Sequence, residues 1–390
     1  MTEGEHVPTY CPLCVSRCGA RAEVADGTLL SLRPDPSHPT GQALCLKGKA
    51  APDIVYHAER LLHPLRRTAP KGDADPGWEQ ITWDEALGEV AARLTAAAAA
   101  GGPESVAFSS SSPSTSAISD SADWIRRLIR AFGSPHYGNY MELCGWGRHL
   151  APLYTFGEAV PGAYLPDLEN AGCILFWGYN PSVARLAHAT STVAAVRNGA
   201  KLIVVDPRKA GLAARADHWL RVRPGTDAAL ALSLIHVMIE NGWYDADFVR
   251  DWTNAAEDVD GRSVWELLKA RCAELPPALA EEVTGVPAAD IVAAARTMWE
   301  ARPLAFYAWS GLEQHSGATQ TIRAINVLYA LTGCLDVPGG TCCSRPCPPT
   351  RSTGGSSCRT TRPPRRAATG GPWDPHGSAT SPARTCTTQR

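Results

Sequence analysis

A chain of 390 residues is long enough for two or three domains, and 44% hydrophobic with 19% charged residues describes a globular protein. The net charge of −2 hides an asymmetry: residues 341–390 hold eight Arg, no Lys and one acid, Asp374, which leaves the body at −9. An acidic body lacks the basic stripe that nucleic-acid binding needs, and no apolar run of about 18 residues is present to span a membrane.

The opening residues, MTEGEHVPTY, carry acids and no export pattern, which predicts a cytoplasmic protein. Four cysteines follow as Cys11-x2-Cys14-x3-Cys18-x26-Cys45. Without an export signal such clustered thiols read as metal ligands rather than disulfides. Zinc sites usually present two separated knuckles, whereas here one loop carries three ligands and a distant cysteine closes the set. That spacing favours three corners of an iron–sulfur cubane plus a fourth, and leaves zinc open.

Thr82 and Glu85 form a capping-box pattern that opens a helix over 82–100, stopped by Gly101 and Gly102. SVAFSSS (105–111) reads as a strand and 119–132 as a helix. CILFWG (173–178) and KLIVVD (201–206) are continuous apolar runs, as strands buried on both faces should be, with a helix over 183–198 between them. LRV (220–222), a helix over 226–241 and LAFYAW (304–309) continue the alternation. The fold class is therefore α/β, with doubly wound, mostly parallel sheets. Cys173 and Cys272 read as packing residues.

Ligands in such folds bind beyond the carboxyl ends of the strands. Special turns stand there: Gly178-Tyr179-Asn180-Pro181, Asp206-Pro207-Arg208, and Gly225-Thr226-Asp227 at a helix start, where free N–H groups suit a phosphate. Neither GxGxxG nor a P-loop is present. Repetition of these turns at successive strand ends points to an extended, nucleotide-like ligand.

Beyond Gly340 the character changes. Residues 341–390 contain no Leu, Ile, Val, Phe, Met or Tyr, and Trp373 is their one large apolar side chain. Such a segment cannot bury enough area to offset its backbone entropy and is expected to be disordered. Arg as the sole strong base, sudden cysteines and lost periodicity favour out-of-frame reading over a natural Pro/Arg-rich linker.

Taken in order, CPLCVSRCG, LCLKG, WGYNP, VVDPR, RPGTD and SGLEQHSG with RAINVLYALTG resemble the molybdopterin oxidoreductases, across roughly Tyr10 to Gly340. This broad family includes formate dehydrogenases, thiosulfate or polysulfide reductases and acetylene hydratase. The resemblance implies a [4Fe-4S] cluster on Cys11, Cys14, Cys18 and Cys45, and molybdenum or tungsten held by two pterin guanine dinucleotides. It implies that Cys144 ligates that metal, and that Lys47 lies between cluster and pterin on the electron path. It assigns the guanine dinucleotides to Gly178, Tyr179, Asn180 and Pro181, to Asp206, Pro207 and Arg208, and to Gly225, Thr226 and Asp227. Gly311, Gln314 and His315 match a glycine-rich turn near the metal.

The implied organisation is a cluster domain over 1–60 and an α/β domain over 61–143 and 301–340. A pterin-dinucleotide domain covers 144–300 and the off-frame tail 341–390. Two departures stand out. Gly145 and Trp146 follow Cys144 where formate dehydrogenases place a histidine, and family members continue well past this length, which makes a truncated, inactive copy one reading. The implied partners are a small substrate and an electron-transfer protein or iron–sulfur subunit. The rival readings are a cluster-bearing electron-transfer subunit without Mo or W, and a zinc-stapled nucleotide-binding module.

Overall fold

The computed structural model describes residues 5–110, 122–139, 144–156 and 165–342. Its front is a three-stranded antiparallel sheet of β1 (Glu5–Tyr10), β2 (Gly19–Ala25) and β3 (Thr28–Pro34) in sequential order. Ala20, Ala22, Leu32 and Leu44 pack beneath it with Cys11 and Cys18.

Next come α1 (Trp83–Gly101), β4 (Phe108–Ser110), α2 (Ala122–Phe132) and β5 (Tyr137–Asn139), with β4 and β5 paired in parallel. Thr82 Oγ1 accepts from Glu85 N at 3.2 Å and Thr82 N donates to the Glu85 carboxylate at 2.7 Å, so the capping box forms as expected. Residues 111–121, parts of the expected strand and helix, lie outside the described residues. Helix α3 (Trp146–Phe156) and β6 (Leu165–Pro166) lead into the principal sheet.

That sheet holds β7 (Cys173–Trp177), β8 (Lys201–Val205), β9 (His218–Leu220) and β10 (Leu304–Ala308), in the order β9-β8-β7-β10 and parallel throughout. All five residues of β7 are fully buried. Successive side chains on a strand point to opposite faces, and the two cores divide accordingly. Cys173, Leu175, Trp177, Ile203 and Val205 join the core that holds α5 (Asp227–Glu240), α6 (Ala288–Glu300) and α7 (Ala318–Leu331). Ile174, Phe176, Leu202 and Val204 face α4 (Leu186–Arg197) on the other side. Burial of each large apolar side chain contributes roughly 1.5–3 kcal/mol, which is why both faces need helices.

Three expectations are corrected. The helix over 183–198 is two: Asn180 Oδ1 accepts from Ser182 N at 3.2 Å and caps a short turn Pro181–Ala184, and Arg185 at φ −148° separates it from α4. The strand placed at 220–222 runs from 218 to 220, where Trp219 Nε1 donates to Asp206 O at 2.8 Å and ties β9 to the end of β8. The tail does not begin at 341: Thr341 and Cys342 form β11, antiparallel to β6. Thr341 is 1% exposed, its hydroxyl accepting from Phe306 N at 3.0 Å and donating to Phe306 O at 3.1 Å on the free edge of β10. Residues 343–390, and with them the expected disorder and frame change, lie outside the described residues. No helix among the described residues is long and apolar enough to cross a membrane.

Candidate functional site

The loop between β1 and β2 carries three thiols. Cys11 N donates to Cys18 O at 2.8 Å, closing the loop at its base, and Arg17 takes φ +46° as the chain turns back into β2. Cys45 caps the one-turn helix Leu46–Lys49. Gly48 lets that turn approach: a Cβ there would meet Leu44 Cδ1 at 2.6 Å and Cys11 Sγ at 3.3 Å.

The four thiols act on one another. Burial pushes the Cys11 thiol up, with the charges of Cys14 and Cys45 adding and Lys47 opposing. Burial first, then Cys14, Cys11 and Cys45, pushes Cys18 up to about 11, against the lowering effect of Arg185. Four thiolates cannot stand together without a cation to hold them. The donors are all soft sulfur, the set that iron–sulfur cores and zinc accept. Among the described residues no three His, Cys, Asp or Glu side chains are arranged around a single metal ion. The residues fit a multi-sulfur cluster in number and donor chemistry, and they are close enough for their charges to act on one another.

This loop docks on the strand ends. Ser16 Oγ donates to Ala184 O at 2.7 Å, within the turn that follows Gly178-Tyr179-Asn180-Pro181. Gly178 takes φ +57° and touches the backbone of Gly311, whose N–H donates to Gly178 O at 3.1 Å. The ends of β7 and β10 therefore meet, and the glycine-rich turn with Gln314 and His315 lies beside the first turn. Gln314 at φ +66° and His315 are exposed.

The expected ligand residues differ in what they offer. Asp227 is buried: its Oδ1 accepts from Trp177 Nε1 at 2.8 Å, and burial raises its carboxyl against the lowering effect of that bond, backbone N–H groups and nearby His315. Gly225 is exposed and Thr226 spends its hydroxyl on Arg223 O at 2.7 Å, leaving the N-terminus of α5 without a side-chain cap. Asp206 Oδ1 accepts from Arg208 N at 2.8 Å, so the Asp206-Pro207-Arg208 turn is self-braced with Arg208 exposed. Tyr179 turns inward, its ring 4.7 Å from that of Tyr307 and its hydroxyl 3.0 Å from His188 Nδ1. What residue 179 offers the surface of this turn is backbone. Lys47 is exposed beside Cys45.

Cys144 is half-buried just ahead of α3. The start of α3 is pinned by Glu313, 3% exposed, whose Oε1 accepts from Arg148 N at 3.1 Å and Arg148 Nε at 2.5 Å. The Arg148 guanidinium lies 4.0 Å over the Trp309 ring. A cavity of about 60 Å³ opens beside it, lined by His149, Tyr307 and Asn326, whose Nδ2 is buried without a hydrogen-bond partner among the described residues. Burial and Arg148 hold the His149 imidazole below its ordinary range. Cys173 and Cys272 are packing residues, burial pushing the Cys272 thiol up to about 12. Sequence reasoning missed Glu313, Arg148 and Arg185. Their partners stand far off in the chain, and no local pattern marks them.

The molybdopterin oxidoreductase family model matches residues 60–345, and the model of that family's Fe4S4 domain matches residues 5–57. The thiosulfate reductase molybdopterin-containing subunit of Salmonella typhimurium is 32% identical over 298 residues, 76% of this chain and 36% of that protein. Acetylene hydratase of Syntrophotalea acetylenica is 32% identical over 341 residues, 85% and 44% respectively. Formate dehydrogenase H of Escherichia coli is 30% identical over 341 residues, 85% and 45%. The solved structure of acetylene hydratase from Pelobacter acetylenicus superposes with a TM-score of 0.70 at 30% identity, covering 84% of this chain and 43% of that one. The chain thus spans less than half the length of each of these relatives. The cofactors expected from the sequence, an iron–sulfur cluster and a molybdopterin, are those the two family models name.

Proposed function

Because the chain belongs to the molybdopterin oxidoreductases, we propose that it is the cluster- and pterin-binding portion of a molybdenum or tungsten oxidoreductase. It would act on a small substrate of the thiosulfate-, polysulfide- or formate-type and exchange electrons with a protein partner. When bound, the pterin-held metal supplies two-electron or atom-transfer chemistry and the cluster supplies one-electron transfer.

The chain's own residues position these groups. Cys11, Cys14, Cys18 and Cys45 would hold the cluster, and Lys47 would stand beside it. Cys144 would offer a thiolate to the metal. The turns at Gly178–Pro181, Asp206–Arg208 and Gly225–Asp227 would carry one guanine dinucleotide, with the uncapped α5 N-terminus facing a phosphate. The domain pattern proposed is a cluster domain over 1–60, a dinucleotide domain over 144–300 and a second α/β unit from 61–143 and 301–340. Glu313 would fix the α3 start and so the approach of Cys144.

One observation carries this reading: three thiols sit on a loop hydrogen-bonded through Ser16 to Ala184 in the turn that ends β7, and Cys45 is near enough for its charge to act on two of them. The test is the anaerobically purified full chain, assayed for iron, acid-labile sulfide, molybdenum, tungsten and zinc. Equal iron and sulfide with broad visible absorbance, abolished in C45S, supports the reading. An iron-free chain that binds zinc on the same cysteines would refute it.

A further inference from the structure

Arg185 is 8% exposed, its Nε is buried with no hydrogen-bond partner, and it forms no ion pair among the described residues. What holds it is aromatic. Its guanidinium carbon lies 4.8 Å from the Trp309 ring centre and 5.4 Å from that of Tyr307. Cation–π contacts stabilise a desolvated guanidinium without neutralising its charge. Burying an unpaired cation is costly, and these contacts leave part of the penalty standing. A nearby anion would offset the rest.

The anion available lies across the Ser16–Ala184 hydrogen bond, one residue from Arg185. Ser16 stands between Cys14 and Cys18, so this bond sets the chain at Arg185 against the cysteine loop. Four thiolates around an iron–sulfur core leave net negative charge, which grows on reduction.

We propose that Arg185 is a positioning residue for the cluster: its buried guanidinium, stacked on Trp309 and Tyr307 beside the Cys18 loop, is the counter-charge that favours the reduced state. The proposal rests on the reading that these four cysteines hold a cluster. Unlike exposed Lys47, Arg185 is shielded from solvent, so its effect is little screened by salt. Trp309 also stacks on Arg148, which joins this group to the start of α3.

Two readouts on the full chain test it, with R185M removing the charge while keeping an unbranched side chain. The first is the cluster's midpoint potential, read by electron paramagnetic resonance during redox titration. R185M is expected to reduce about tenfold less favourably, about 59 mV for a one-electron couple, whereas R185K stays near the parent. The second is urea unfolding with and without cluster. Without it, R185M is expected to match or exceed the parent, because an uncompensated charge has gone; with it, R185M is expected to be the less stable. A loaded R185M with unchanged potential overturns the proposal. So does an R185M chain that is already weaker than the parent without cluster, since a merely structural arginine predicts that. Failure of the parent itself to take up iron and sulfide would instead strike the underlying reading.

Discussion

The meeting of β7 and β10 at Gly178 and Gly311 can be tested by adding one methyl group. Gly178 takes φ +57°, and a Cβ there would stand 2.9 Å from Gly311 Cα, 3.0 Å from Gly311 C and 3.2 Å from Leu312 N. These are backbone atoms, which cannot rotate away as a side chain would. The left-handed conformation costs a non-glycine residue about 1–2 kcal/mol, and forcing a methyl into packed structure adds about 1–3 kcal/mol. G178A should therefore lose about 2–5 kcal/mol in all. Gly285 is the control, at φ +75° with nothing within 4 Å of its added Cβ. G285A should lose only the conformational part, about 1–2 kcal/mol. Urea unfolding followed by tryptophan fluorescence compares the two. Equal losses would refute the claim that the two strand ends are held in backbone contact, and with it the placement of the Gly311–His315 turn beside Gly178–Pro181.

Two further outcomes are expected. Burial, with Arg185 adding, pushes the His188 imidazole down to about 3. The unfolded chain binds a proton near pH 6.5 that the native state refuses, so stability is full above that pH and falls on acidification at up to about 1.4 kcal/mol per unit. H188Q should flatten the urea midpoint between pH 7 and pH 5, and an unchanged slope would remove His188 as its source. T341V strips Phe306 N and O of their shared hydroxyl on the free edge of β10. It should cost about 1–3 kcal/mol for buried groups left unpaired, with T341S recovering most of that on calorimetry; no loss would show β11 to be dispensable.

Much of the fold was legible because its signals are local. CILFW and the LIVV that follows Lys201 are apolar at every position, so they predict strands covered on both faces, and β7 and β8 are buried there. Thr82 and Glu85 sit three apart, and their capping box forms without tertiary help. Three of the four cysteines fall within eight residues and the special turns at strand ends are likewise short, which is why the candidate site could be read in outline.

What the sequence by itself determined was thus the kind of chemistry and the residues able to carry it: soft thiols at the front, turns at the ends of parallel strands. Only the tertiary structure decided which of those groups meet and which are occupied. It turned the Tyr179 ring inward, engaged Asp227 with Trp177, split a helix at Arg185 and drew Thr341 into the edge of a sheet. The physical reason is distance along the chain. Trp177 and Asp227 are 50 residues apart, Arg148 and Glu313 165, Ser16 and Ala184 168. Periodicity and caps act within a few residues, whereas satisfaction of buried polar groups is settled by whatever the finished packing brings alongside.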